Sequence, residues 1–114
     1  MDSRLPFAQP EFSGSSATRF EWDPSKAASN LRKHGVSFPT AALAFADPFA
    51  LVEQDRVEGG EVRWQLLGMV EDDLLLLVAH TVREQDDVEI IRIISSRLAN
   101  RRDRRRYEDS NGPL

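Results

Sequence analysis

Apolar and polar residues recur every three or four positions between Pro24 and Ala46, and after Pro48 the period changes to two. The first period is that of a helix with one buried side and the second that of a strand. Ala27, Ala28 and Leu31 share a face of a first helix, opened by Asp23-Pro24. Aspartate caps free amides there, and proline fits the first helical position, where its missing donor costs nothing. Lys33-His34-Gly35 closes the helix: glycine supplies the left-handed turn, and the basic pair sits at the negative end of the helix dipole. Ser37 opens a second helix with Phe38, Ala41, Ala42 and Phe45 at helical spacing, ended by Asp47-Pro48.

Ahead of these helices, residues 19–22 read as a short strand with Phe20 and Trp22 on one face. Behind them, strands are expected over 50–55, 62–68, 74–82 and 88–95, separated by turns at Glu58-Gly59-Gly60, Asp72-Asp73 and Gln85-Asp86-Asp87. Short connections favour an antiparallel meander. A last helix is expected over 97–107. The order β-α-α-β-β-β-β-α describes an α+β fold: an antiparallel sheet with helices packed on one face. Residues 1–18 hold Pro6, Pro10, Gly14 and a Ser/Thr cluster without either period, the pattern of a flexible tail. One domain is expected over 19–108, followed by a frayed end over 109–114.

A chain of 114 residues is one domain by size and needs no staple, and it has no cysteine to make one. Its longest apolar run, 74–79, is far too short to cross a bilayer. The N-terminal residues contain no hydrophobic signal core, so a cytoplasmic protein with no membrane contact is expected. The net charge of −4 conceals a division. Residues 1–91 carry 8 basic and 16 acidic groups, net −8, whereas residues 92–114 carry 7 and 3, net +4. Any contact with a polyanion must therefore be local to the basic end and its surroundings; an acidic protein partner would use that end equally well.

Arginine's rigid fork of donors suits phosphates and carboxylates. Arg63 and Arg92 each interrupt an otherwise apolar strand, so each must emerge from a sheet surface and find an anion. Pairing with a neighbouring glutamate would satisfy them equally. His80 ends an apolar strand, either as a titrating group or as a hydrogen-bonded structural histidine. Lys33 and His34 are surface residues at a helix end, or anion ligands if that end faces the sheet. In the last helix Arg97, Arg101, Arg104 and Arg105 can share one side and Arg102 and Arg106 another. A helix polar almost all round is solvated or covered by a partner. Two distant histidines and turn-borne pairs such as Asp86-Asp87 make no metal site, and no metal or other cofactor is expected. The two early helices loosely resemble a helix-turn-helix, but the second offers almost no side chain able to read bases.

Several blocks in register resemble the BrnT family of bacterial toxins: Phe20-Glu-Trp-Asp23 with Lys26, Asn30-Leu-Arg-Lys-His-Gly-Val-Ser-Phe38, and Asp47-Pro48. Glu61-Val-Arg63, Gly68, His80-Thr-Val-Arg83, Ile91-Arg-Ile-Ile-Ser95 with Arg97, and the arginine-rich end closing on Tyr107 continue the likeness. The resemblance implies a RelE-like fold and a type II toxin: a metal-independent endoribonuclease that inhibits growth. It further implies an antitoxin of the BrnA kind with a ribbon-helix-helix part, through which alone operator DNA is met. Cleaving RNA through its own 2′-hydroxyl requires a base, an acid and cations around the phosphorane. On this reading Arg63, His80, Arg92, Lys33 and His34 are the catalytic candidates. Arg83, Arg97 and Arg101 contact RNA, and Arg102, Arg105 and Arg106 meet the antitoxin. The alternatives are an inactive toxin-fold protein that binds a protein partner, or a DNA-binding module.

Overall fold

The computed structural model describes residues 17–112. In chain order it contains β1 (Ala17–Glu21), α1 (Pro24–His34), α2 (Phe38–Leu43), a 3-10 turn (Ala44–Ala46), β2 (Leu51–Glu58), β3 (Glu61–Val70), β4 (Leu74–Gln85), β5 (Val88–Leu98) and α3 (Arg101–Ser110). The α+β class and the element order are those expected. Of the expected tail, 1–16 lie outside the described residues, while Ala17 and Thr18 already belong to β1. At the other end α3 continues to Ser110, and 113–114 lie outside the described residues.

The five strands lie in the order β1-β5-β4-β3-β2. The meander of β2 to β5 is antiparallel, as the short turns require. The sheet as a whole is mixed, because β1 runs parallel to β5. Turn length speaks only for the strands a turn joins, and β1 is separated from β5 along the chain by two helices and three strands, so nothing local set its direction. β1 borders only the first half of β5, from Val88 to Arg92. Along the second half α1 takes its place. Asn30 Nδ2 donates to the carbonyls of Ser96 (2.8 Å) and Val36 (3.0 Å), and its Oδ1 accepts the Ser96 N–H (3.1 Å). The buried amide thus does for Ser96 what a neighbouring strand would do.

Val36, Phe38, Ala41 and Ala44 bury one face of the sheet against Leu66, Val70, Leu76, Val78 and Ile93. Gly68 lets the 3-10 turn touch β3: a Cβ there would lie 2.4 Å from the Ala44 carbonyl oxygen. Leu67, Leu75 and Leu77 point the other way by alternation and are buried as well. α3 lies on that side, where Asp103 meets Arg97 opposite Leu77, so helices lie on both faces rather than one. The reason is visible in β3 and β4, where Leu66-Leu67 and Leu74 to Val78 are apolar on consecutive positions, the pattern of a strand buried on both sides. Tyr107 anchors α3 by donating its hydroxyl to Asp47 Oδ2 at 2.7 Å, an oxygen that also accepts the Met69 N–H at 2.7 Å. Burial alone would raise the Asp47 carboxyl. Donation from Met69, Tyr107 and Phe49 overcomes this and leaves it below its usual range. Burial, together with the bond and charge of Asp47, pushes the Tyr107 phenol up to about 12.

The last helix starts later than expected. β5 runs through Leu98, so Arg97 is a strand residue, and Asn100 caps the helix. Its side chain accepts from Asp103 N while Asp103 Oδ2 accepts from Asn100 N, a reciprocal capping box.

Candidate functional site

α3 covers only the lower part of its face, leaving the upper part open as a cleft of about 330 Å³. The floor is Leu77, Ala79, Gln65 and Ser95; Arg56, Arg63, Arg97, Asp55 and His34 stand around it. Strand register explains the arrangement, since Gln65 lies opposite Ala79, Ala79 opposite Ser95, and Leu77 opposite Arg97. Two irregularities flank the cleft, one between Gln54 and Arg56 in β2, the other across Ala79 and His80 in the β4–β5 pair. A bulge re-aims side chains. The first brings the consecutive residues Asp55 and Arg56 to the same cleft. His34 enters from the end of α1, on the opposite rim from β2.

The cations around the floor are held to different degrees. Arg97 Nη1 donates to Asp103 Oδ2 at 2.8 Å and to the Leu98 carbonyl at 3.1 Å. Asp103, 3% exposed, also accepts from Arg106 Nη1 at 3.1 Å. Burial would raise its carboxyl, but donation by Asn100 N–H and Arg97, with the charges of Arg97 and Arg106, holds it below the ordinary range. Arg56 is tied to Glu58 at 2.9 Å and Asp55 at 3.4 Å. Arg63 is the least satisfied: its Nε is buried without a hydrogen-bond partner, and its one carboxylate partner among the described residues, Glu58, stands 3.8 Å from Nη1.

Arg92 and Arg83 lie beyond the cleft on the same face and converge on Glu21 of β1, at 3.4 and 2.7 Å. Hydrogen bonding from Arg83 is the main cause that holds the Glu21 carboxyl down. Both arginines are thus spoken for by a carboxylate, the pairing that the strand pattern left open.

The structure brings Arg63, Arg97 and His34 together and leaves other expected residues elsewhere. His80 faces the opposite side: it pairs across the sheet with Trp64 and Ile93, is 3% exposed, and stacks edge-on against Phe45 at 4.8 Å. Burial lowers its imidazole, against a weaker opposing effect from the Val78 carbonyl 3.2 Å from Nδ1. It is a core residue, because β4 continues to Gln85 and its alternation turns His80 inward. Lys33 lines a smaller neighbouring groove. On α3, Arg106 turns inward to Asp103 and to Glu53 at 2.9 Å, so it is not an outward-facing residue. Arg101, Arg102 and Arg105 stay exposed, without an ion pair among the described residues. Asp55 and Ser95 went unnoticed in the sequence because a bulge has no local signature, whereas Gln65 shares the face of Arg63 by plain alternation. Asp103 had one, an Asn-x-x-Asp pattern where a helix begins.

Among the described residues no group of three or more histidines or carboxylates is placed to hold a metal ion. No described helix is long and apolar enough to cross a membrane.

The open sheet face of this small α+β domain gathers arginines around one imidazole and one carboxylate. The chain belongs to the BrnT family: the family model described as ribonuclease toxin, BrnT, of type II toxin-antitoxin system matches residues 22–103. That family brings with it an RNA substrate and an antitoxin partner. The crystal structure of the Brucella abortus ribonuclease toxin BrnT is similar in fold, with a TM-score of 0.50 at 17% identity over 74% of this chain and 97% of that one. No match is found among curated proteins.

Proposed function

We propose that the open cleft cleaves RNA internally and without a metal ion, and that the resulting loss of RNA arrests growth until an antitoxin binds. The observation that carries this reading is Arg63: a half-buried guanidinium with an unpaired Nε, in a cleft it shares with Arg56, Arg97 and His34. A half-buried cation with an unpaired Nε and its nearest carboxylate 3.8 Å away is poised for charge that arrives with a substrate.

Attack by the 2′-oxygen on phosphorus needs a base and an acid on opposite sides of the reacting group. His34 from α1 and Asp55 from β2 stand on opposite rims and are the proton-transfer groups of the cleft. Arg63 and Arg97 bind the non-bridging phosphate oxygens, the latter fixed in position by Asp103. Arg92 and Arg83, braced by Glu21, hold the strand edge beside the cleft. The antitoxin is proposed to be of the BrnA kind, carrying the DNA-binding function of the complex. Arg101, Arg102 and Arg105 on the outer side of α3 would receive its acidic groups.

The test is incubation of the purified, antitoxin-free chain with a single-stranded RNA and with DNA of the same sequence, in excess chelator. RNA should be cut and leave 2′,3′-cyclic phosphate ends, while the DNA stays intact. Equal cutting of DNA would rule out the 2′-oxygen, and chelator sensitivity would rule out the metal-free route. No cutting would leave a toxin-fold binding protein.

A further inference from the structure

The cleft does not end at His34. A narrower groove of about 180 Å³ continues from it along α1, sharing His34 and Ser95 and adding Lys26, Ser29 and Lys33. Lys26, Ser29 and Lys33 recur at helical spacing, so they form one stripe of α1. At a rise of ~1.5 Å per residue the two lysines stand ~10 Å apart along the axis, a span suited to a strand rather than to one phosphate.

Three features mark the stripe as a binding surface. Its lining contains no carboxylate, in a chain with 19 acidic side chains against 15 basic ones; Asp23 and Glu58 act on Lys26 only from outside it. Neither lysine side chain is engaged in an ion pair among the described residues, whereas Arg83, Arg92, Arg97 and Arg106 all are. The remaining polar residue, Asn30, has its amide committed to Ser96 and Val36 and cannot satisfy a ligand. The groups left without an ion pair or side-chain hydrogen bond among the described residues are therefore two ammonium ions, a hydroxyl and the imidazole shared with the cleft.

Resting on the reading of the cleft given above, we propose that this groove is a backbone subsite for single-stranded RNA. It takes phosphodiesters flanking the one that is cut and leads the strand away along α1. Lysine suits that role, because a mobile point charge follows a backbone without demanding a base or a fixed geometry. Lys33 is then a binding residue that sets the footprint of the substrate, not an acid or base of the reaction.

The test measures binding of uncleavable 2′-O-methyl RNA, a dinucleotide and a longer oligomer, by fluorescence anisotropy across a salt series. Wild type is compared with the double variant Lys26→Ala, Lys33→Ala, after thermal melts establish that both are folded. The variant should bind the longer oligomer several-fold more weakly. Its plot of log affinity against log salt should be shallower by ~0.7 for each phosphate no longer neutralised. Dinucleotide binding should not change, and on cleavable RNA the KM should rise with kcat retained. An unchanged salt slope for the longer oligomer, or a fall in kcat with binding intact, would overturn the subsite alone. Failure of the wild type to bind either RNA would overturn the subsite and the cleft reading together.

Discussion

Arg63→Ala is expected to slow RNA cleavage by about 10²–10³ while leaving the melting temperature close to that of the wild type. The rate effect follows from where the guanidinium sits. It is the cleft cation with the fewest partners, and its removal takes away donors aimed at charge that develops in the transition state. The small effect on stability follows from the same fact, since a 3.8 Å approach to Glu58 is the only ion pair removed among the described residues. Arg63→Lys should recover part of the rate, because it restores charge but not the fork. Arg92→Ala provides the contrast. That guanidinium already shares Glu21 with Arg83, so its loss should change the rate much less. Single-turnover cleavage of one RNA by the three variants, beside thermal melts, reads both quantities. Full activity in Arg63→Ala would remove the cleft's central cation from the reaction.

Gly68→Ala is expected to be among the most damaging single-methyl changes in the chain. The new Cβ would meet the Ala44 carbonyl oxygen at 2.4 Å, Leu66 Cδ2 at 2.9 Å and Ala44 Cβ at 3.0 Å. The first of these is backbone, so no rotamer change relieves it, and the 3-10 turn must move off the sheet. Overpacking of this kind costs about 1–3 kcal/mol, and a backbone obstacle places this case at the upper end. Displacement of the turn would also disturb Asp47, which ties β3 to α3 through Met69 and Tyr107. Denaturant unfolding should show a lowered midpoint with an unchanged slope. A midpoint equal to the wild type would mean that the turn and β3 can part at no cost.

What could be read from the residues was whatever lies within a few positions. Asp23-Pro24 and Gly35 bound α1 as expected, and the alternation after Ala50 located the four antiparallel strands. Pairings across many residues were not legible. The direction of β1, the amide of Asn30 filling the edge beside Ser96, and the seating of α3 through Tyr107 on Asp47 and Arg106 on Glu53 all depend on groups far apart in the chain. The site divides in the same way. Arg63 announces itself as a charge in an apolar strand, and His34 as the end of a helix. His80 misled because one step of strand register decides between core and cleft. Asp55 and Ser95 were hidden because bulges in the pairing bring them to the cleft, and Glu21 because its partners lie 62 and 71 residues away.

The measurement that bears most directly on the cleft is a residue-resolved NMR titration of the folded chain with uncleavable 2′-O-methyl RNA. Shifts should gather at His34, Asp55, Arg63, Gln65, Ser95 and Arg97, continue along Lys26 and Lys33, and leave the core around His80 unmoved. Shifts confined to Arg101, Arg102 and Arg105 on the outer side of α3, with the open sheet face silent, would contradict the account.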